Sequence, residues 1–132
     1  IGRTFPFPED NFDIILDVTS SNSLSENERR NYLEESYRVL KLDGFMFVRA
    51  LCKDGDQNAK NLLKTNPGPE KDTYIMPEIG LTERVFSKED FISTYSPFFE
   101  IIFLEKETHY TKFNDRSYRR NFWIAYLKKV AK

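Results

Sequence analysis

The 132 residues carry 20 Lys and Arg against 21 Asp and Glu, so the formal net charge is -1 and no global field draws the chain to nucleic acid or an anionic membrane. With 39% hydrophobic and 15% aromatic residues, the composition is that of one folded domain with one core, neither a disordered segment nor two domains. No apolar run reaches the ~18 residues a membrane helix needs, and the single cysteine, Cys52, has no internal disulfide partner, which fits a reducing cytoplasm.

The chain opens on "IGRTFPFPED", with no initiator Met and no signal features, and reads as a piece of something longer. "NFDIILDV", residues 11–18, is an unbroken apolar run with β-branched residues, closed by the polar "TSSNS". Its length and boundaries predict a strand buried on both faces. Ser25 then opens a helix, with Glu28 three residues on as a capping box. Leu33, Tyr37 and Leu40 share one face, widened by Tyr32 and Val39, while Glu26 with Arg30 and Glu34 with Arg38 pair on the wet side. Asp43-Gly44 predicts a helix end near Leu42, since this pair offers a residue able to turn left-handed. The apolar "FMFVRAL" that follows predicts a second strand over 44–51, parallel to the first through a right-handed crossover and, like it, covered on both faces.

A short helix is predicted around 57–64. The Pro- and Gly-punctuated stretch 66–86 resists a regular assignment and reads either as a lid selecting an acceptor or as a plain surface loop. "SKED" at 87–90 starts another helix, with Phe91, Ile92 and Tyr95 as its apolar face and Pro97 as its stop. "FFEIIFLEKETHY" predicts a strand over 98–110, "NFWIAYLKKV" a last strand over 121–130, and the polar "TKFNDRSYRR" a loop between them. Bases and aromatics interleave in 110–123 as they do on single-strand nucleic-acid surfaces, but solvated charges on a hairpin connection explain them as well, and with charge near zero nucleic acid is not expected.

This order of elements, with two motifs, resembles the carboxyl-terminal part of a class I S-adenosylmethionine-dependent methyltransferase. "FPFPEDNFDIIL" is similar to the family's L-P-F-x-D-x-S-F-D-hydrophobic. "EESYRVLKLDGFMFV" is similar to E-x-x-R-V-L-K-P-G-G-hydrophobic, with Leu42 and Asp43 in place of Pro and the first Gly and with Gly44 kept. The ending "YRRNFWIAYLKK" resembles the last strand of small-molecule members. The resemblance implies an α/β fold: a partial Rossmann-like sheet of parallel strands plus an antiparallel last strand, with helices on both faces. Its four strands correspond to strands 4, 5, 6 and 7 of the order 3-2-1-4-5-7-6. It also implies S-adenosylmethionine as cofactor and a small-molecule or protein acceptor.

The Gly-rich turn after strand 1 and the acidic residue ending strand 2 have no counterpart, and none of the glycines at 2, 44, 55, 68 and 80 forms G-x-G. The chain alone is therefore expected to hold the cofactor poorly. Either it is the acceptor-side half of an enzyme, or it is a non-catalytic remnant that binds a protein partner. In both cases the open edge of Phe12–Val18 calls for the amino-terminal half or another chain.

Candidate site residues follow. Asp17, with Val18, Thr19 and Ser20, stands at the carboxyl end of the first strand, where open α/β sheets place ligands; cofactor or acceptor contact competes with a cap on the following loop. By resemblance Gly2 lies near the adenine. Arg49 can hold an acidic acceptor or simply pair with a carboxylate. Tyr74 and Met76 are acceptor contacts if 66–86 is a lid. His109, the only histidine, suits a general base or is a polar strand end, and Cys52 is a nucleophile or a small buried hydrophobe. One His and one Cys make no zinc-ligand set.

Overall fold

The run Phe12–Val18 forms strand β1, and the capping box that follows it is complete. Glu28 N donates to Ser25 Oγ at 3.2 Å while Ser25 N donates to Glu28 Oε1 at 2.9 Å, so helix α1 (Glu26–Val39) begins at the predicted place. The computed structural model describes residues 4–77, 79–113 and 116–131, with 111–113 and 116–118 described by backbone course only.

α1 stops at Val39, earlier than the Asp43-Gly44 pair predicted, and β2 (Leu40–Leu51) starts at once. Leu40 is already extended although its N–H still reaches Ser36 O, and its own carbonyl accepts from Lys129 Nζ at 2.7 Å. Asp43 takes the left-handed backbone (φ 65°), and Gly44 has a different task. A Cβ there would lie 2.7 Å from the Lys41 carbonyl, so only glycine allows the approach.

Helix α2 (Gln57–Thr65) is capped by Asp56, whose Oδ1 accepts from Ala59 N and whose Oδ2 accepts from Asn121 N at 2.7 Å. Within 66–86 the chain makes a small antiparallel hairpin, β3 (Thr73–Ile75) with β4 (Thr82–Arg84), where the sequence showed no regular element. Ser87 caps α3 (Lys88–Tyr95). β5 (Glu100–Phe113) and β6 (Arg116–Lys128) then pair along almost their whole length. The loop predicted over 111–120 is therefore strand on both sides of 114–115. Beyond Phe122, β6 no longer has β2 as a neighbour, so the ribbon is two strands wide. The residues 111–120 are almost all polar or aromatic, so no apolar alternation reveals the strands.

The main sheet has the order β1-β2-β6-β5, with β1 and β2 parallel and β6 antiparallel to both neighbours. One face carries Met46, Val48, Ala50, Trp123, Ala125 and Leu127, sealed by α1 through Tyr32 and Leu33 and by α3 through Phe91 and Tyr95. The other face is roofed at one end only, where α2 and the β3–β4 hairpin bury Leu51 and Phe122 with Ala59, Tyr74 and Val85. Beyond that roof Ile14, Leu16 and Val18 stand 62%, 70% and 51% exposed, beside exposed Phe45, Phe103 and Tyr126. The prediction that β1 is buried on both faces thus fails within this chain: one face has its cover, the other does not.

Candidate functional site

The carboxyl ends of β1 and β2 meet at one corner of the sheet. Val18 lies in register with Arg49, and Thr19 N donates to Arg49 O at 2.8 Å. Thr19 is β-branched yet has φ 58°, a backbone state that costs on the order of 1–3 kcal/mol and persists only where the surroundings impose it. Asp17 imposes it. Its Oδ1 accepts from Ser20 N at 3.1 Å and Ser20 Oγ at 2.7 Å; its Oδ2 accepts from Ser21 Oγ at 2.6 Å and Tyr32 Oη at 2.7 Å. Asp17 is 1% exposed and faces α1, so it caps the loop from beneath, while Val18 projects onto the open face and Ser20 is exposed. Burial, reinforced by the Asp17 charge, holds the Tyr32 phenol far above its ordinary range, so this hydroxyl is a permanent donor.

Two buried arginines complete the frame of that loop. Arg29 donates to Ser21 O at 3.0 Å, and Arg84 N donates to Asn22 O at 2.9 Å. Both guanidiniums lie over the Phe86 ring, and Glu26 reaches both, at 3.1 Å and 3.2 Å.

Arg49 differs from its peers. Its guanidinium rests on Phe122, 4.1 Å from the ring centroid. Among the described residues no carboxylate lies within ion-pair reach of it, whereas the other buried or half-buried arginines are paired: Arg29 with Glu26, Arg38 with Glu35, Arg84 with Glu26 and Arg120 with Glu83. Its direct strand neighbours are Val18 and Ile124, and Phe47 and Leu51 flank it along β2.

The other candidates fall elsewhere. Tyr74 is fully buried; its hydroxyl donates to Glu83 Oε1 at 2.9 Å and accepts from Arg120. It fastens the β3–β4 hairpin to β6, and burial keeps its phenol protonated. Met76 packs into the same apolar cluster. Segment 66–86 is thus pinned over the sheet end. His109 is exposed on β5, bonded to Glu107, with β6 and β2 between it and Thr19. Cys52 is buried, and desolvation pushes its thiol up to about 12, so it stays protonated at neutral pH. Gly2 lies outside the described residues. No group of three or more potential metal ligands occurs among the described residues. The Arg49–Phe122 stack and the Glu83–Tyr74–Arg120 clamp were not foreseen: they join positions far apart in sequence, and no local pattern announces them.

No protein-family model matches the chain, and no curated protein matches it either. Solved structures do. An S-adenosylmethionine-dependent methyltransferase from Methanosarcina mazei superposes on 100% of the chain with a TM-score of 0.82 at 14% identity, the match covering 66% of that protein. One from Anabaena variabilis covers 87% at 0.61 and 20% identity, over 48% of its own length. The 1,6-didemethyltoxoflavin-N1-methyltransferase of Burkholderia thailandensis, solved with bound 1,6-didemethyltoxoflavin and S-adenosylhomocysteine, covers 95% at 0.65 and 13% identity, over 47% of its length. The fold is that of the class I S-adenosylmethionine-dependent methyltransferases. The chain spans between about half and two-thirds of the length of these proteins.

Proposed function

We propose that this chain is the acceptor-side portion of an S-adenosylmethionine-dependent methyltransferase, completed by polypeptide that adds strands at the free edge of β1. The observation that carries the reading is β1 itself: Ile14, Leu16 and Val18 lie open on a strand at the edge of its sheet. Each such side chain contributes about 1.5–3 kcal/mol when buried, so further sheet and its covering helices gain substantially by docking there. The longer structural neighbours are in keeping with an amino-terminal half as the completing part.

The described residues do not by themselves fit the cofactor. Val18, Thr19 and Ser20 make one wall, the opposite side of β1 has no neighbouring strand among the described residues, and the sequence has no glycine-rich turn to approach the methionine or ribose. When bound, S-adenosylmethionine supplies a reactive sulfonium methyl; the protein's part is largely to hold the acceptor in line. In this reading the Asp17-braced turn contacts the cofactor or acceptor, and Arg49 with the roof that includes Tyr74 and Met76 positions the acceptor and excludes water. The acceptor is a small molecule or a protein side chain. No helix among the described residues is long and apolar enough to cross a membrane, and we place the protein in the cytoplasm, where its lone buried thiol stays reduced.

Calorimetric titration with S-adenosylmethionine tests this. The chain alone gives no binding heat, and a polypeptide extended upstream of Ile1 binds; heat from the chain alone contradicts the reading. A second reading, a non-catalytic remnant that binds a protein through the same edge, draws on the saturated Asp17 carboxylate and the protonated Cys52 thiol. It predicts that the extended polypeptide gives no heat either.

A further inference from the structure

We infer that Arg49, laid on Phe122, is the point at which a carboxylate of the methyl acceptor is held; the inference rests on the methyltransferase reading above. A half-buried guanidinium with no counter-charge among the described residues is an unusual element of a sheet. Here it stands in an apolar surround, with Val18 and Ile124 across the strands and Phe47 and Leu51 along its own. The Phe122 ring occupies one face of the guanidinium and fixes its plane, so the donor fork is oriented before anything binds. An oriented fork is the geometry that takes a planar carboxylate through two parallel hydrogen bonds.

Position favours a ligand as the source of that carboxylate. Arg49 lies beside the strained Thr19 turn, at the carboxyl ends of parallel strands, where sheets of this kind receive ligands. It also lies at the foot of the wall that α2 and the β3–β4 hairpin build over Leu51 and Phe122, so the ground beyond it on that side is already roofed by the chain itself. Its described register and strand neighbours are all apolar. One guanidinium matches the single charge of a carboxylate and leaves a phosphate dianion only half neutralised.

The test is to follow the Arg49 Nε–H signal and the Val18 and Ile124 amides in the isotope-labelled chain during titration with sodium benzoate, against sodium chloride at equal ionic strength. A saturable shift with benzoate only is expected, and affinity about tenfold lower in Arg49→Lys, which keeps the charge but loses the fork. Phe122→Leu, which keeps apolar volume but removes the platform, should weaken binding several-fold.

The inference is overturned by no saturable shift, by equal affinity in Arg49→Lys, or by the same response to S-adenosylhomocysteine, which assigns the carboxylate to the cofactor. Loss of the benzoate response in the upstream-extended polypeptide also overturns it, because the counter-charge then comes from the covering protein. Calorimetric binding of S-adenosylmethionine by the extended polypeptide with Arg49 intact is read separately. Cofactor binding there without a benzoate site leaves the methyltransferase reading standing and removes only the carboxylate.

Discussion

Asp17 shows how much a single side chain decides at the β1 corner. With four donors on its two oxygens it holds Thr19 in a conformation that threonine avoids. Asp17→Ala leaves those donors unmet and lets the turn relax, so a loss of about 3 kcal/mol is expected in urea unfolding. A carboxylate serving chemistry alone would leave the midpoint unchanged. Cys52 gives a prediction in pH. Its folded thiol is raised to about 12 from an unfolded value of about 8.5, so the folded state holds the proton longer. The associated stability is complete below about pH 8.5 and is lost as pH rises toward 12. Alkylation of the native chain should accordingly stay slow through the range where an ordinary thiol turns reactive. The sequence placed Asp17, Arg49 and Cys52 correctly at the strand ends. It could not say that Asp17 faces inward, because the side of a strand a residue takes depends on register and not on residue type.

At the level of elements, local chemistry was the readable part. The caps at Ser25 and Ser87 lie where the sequence placed them, because a hydroxyl three residues before its backbone donor is a short-range arrangement. The β5–β6 ribbon and the β3–β4 hairpin were not legible. The first runs through the polar stretch 111–120, where no apolar alternation is written, and the second is three residues per strand, too short for any period to appear. What fixes that hairpin is the Tyr74 hydroxyl between Glu83 and Arg120, a partner 46 residues away in sequence. Tyr74→Phe removes this clamp while keeping the ring, and is expected to cost about 1–2 kcal/mol. Hydrogen exchange should locate the effect, with amides of Thr73–Ile75 and Thr82–Arg84 exchanging faster and those of β2 unchanged.

Across the whole molecule, the apolar character of β1 was plain in the sequence, as was its place beside a parallel β2; the cover expected over its second face is not supplied by the described residues. A strand can be composed for a sheet interior and yet lie at an edge when its other neighbours are not in the same chain. Leu16→Lys separates the two roles of such a residue. At 70% exposure the change should shift the stability of this chain by less than about 0.5 kcal/mol. In the upstream-extended polypeptide the same change should abolish S-adenosylmethionine binding, because the charge would lie under the covering layer.

The free edge of β1 is tested most directly by hydrogen exchange at those amides of Phe12–Val18 that do not donate to β2. They should exchange rapidly in this chain and become strongly protected in the upstream-extended polypeptide. Slow exchange in the chain by itself, or no change on extension, would contradict the proposal that further strands join there.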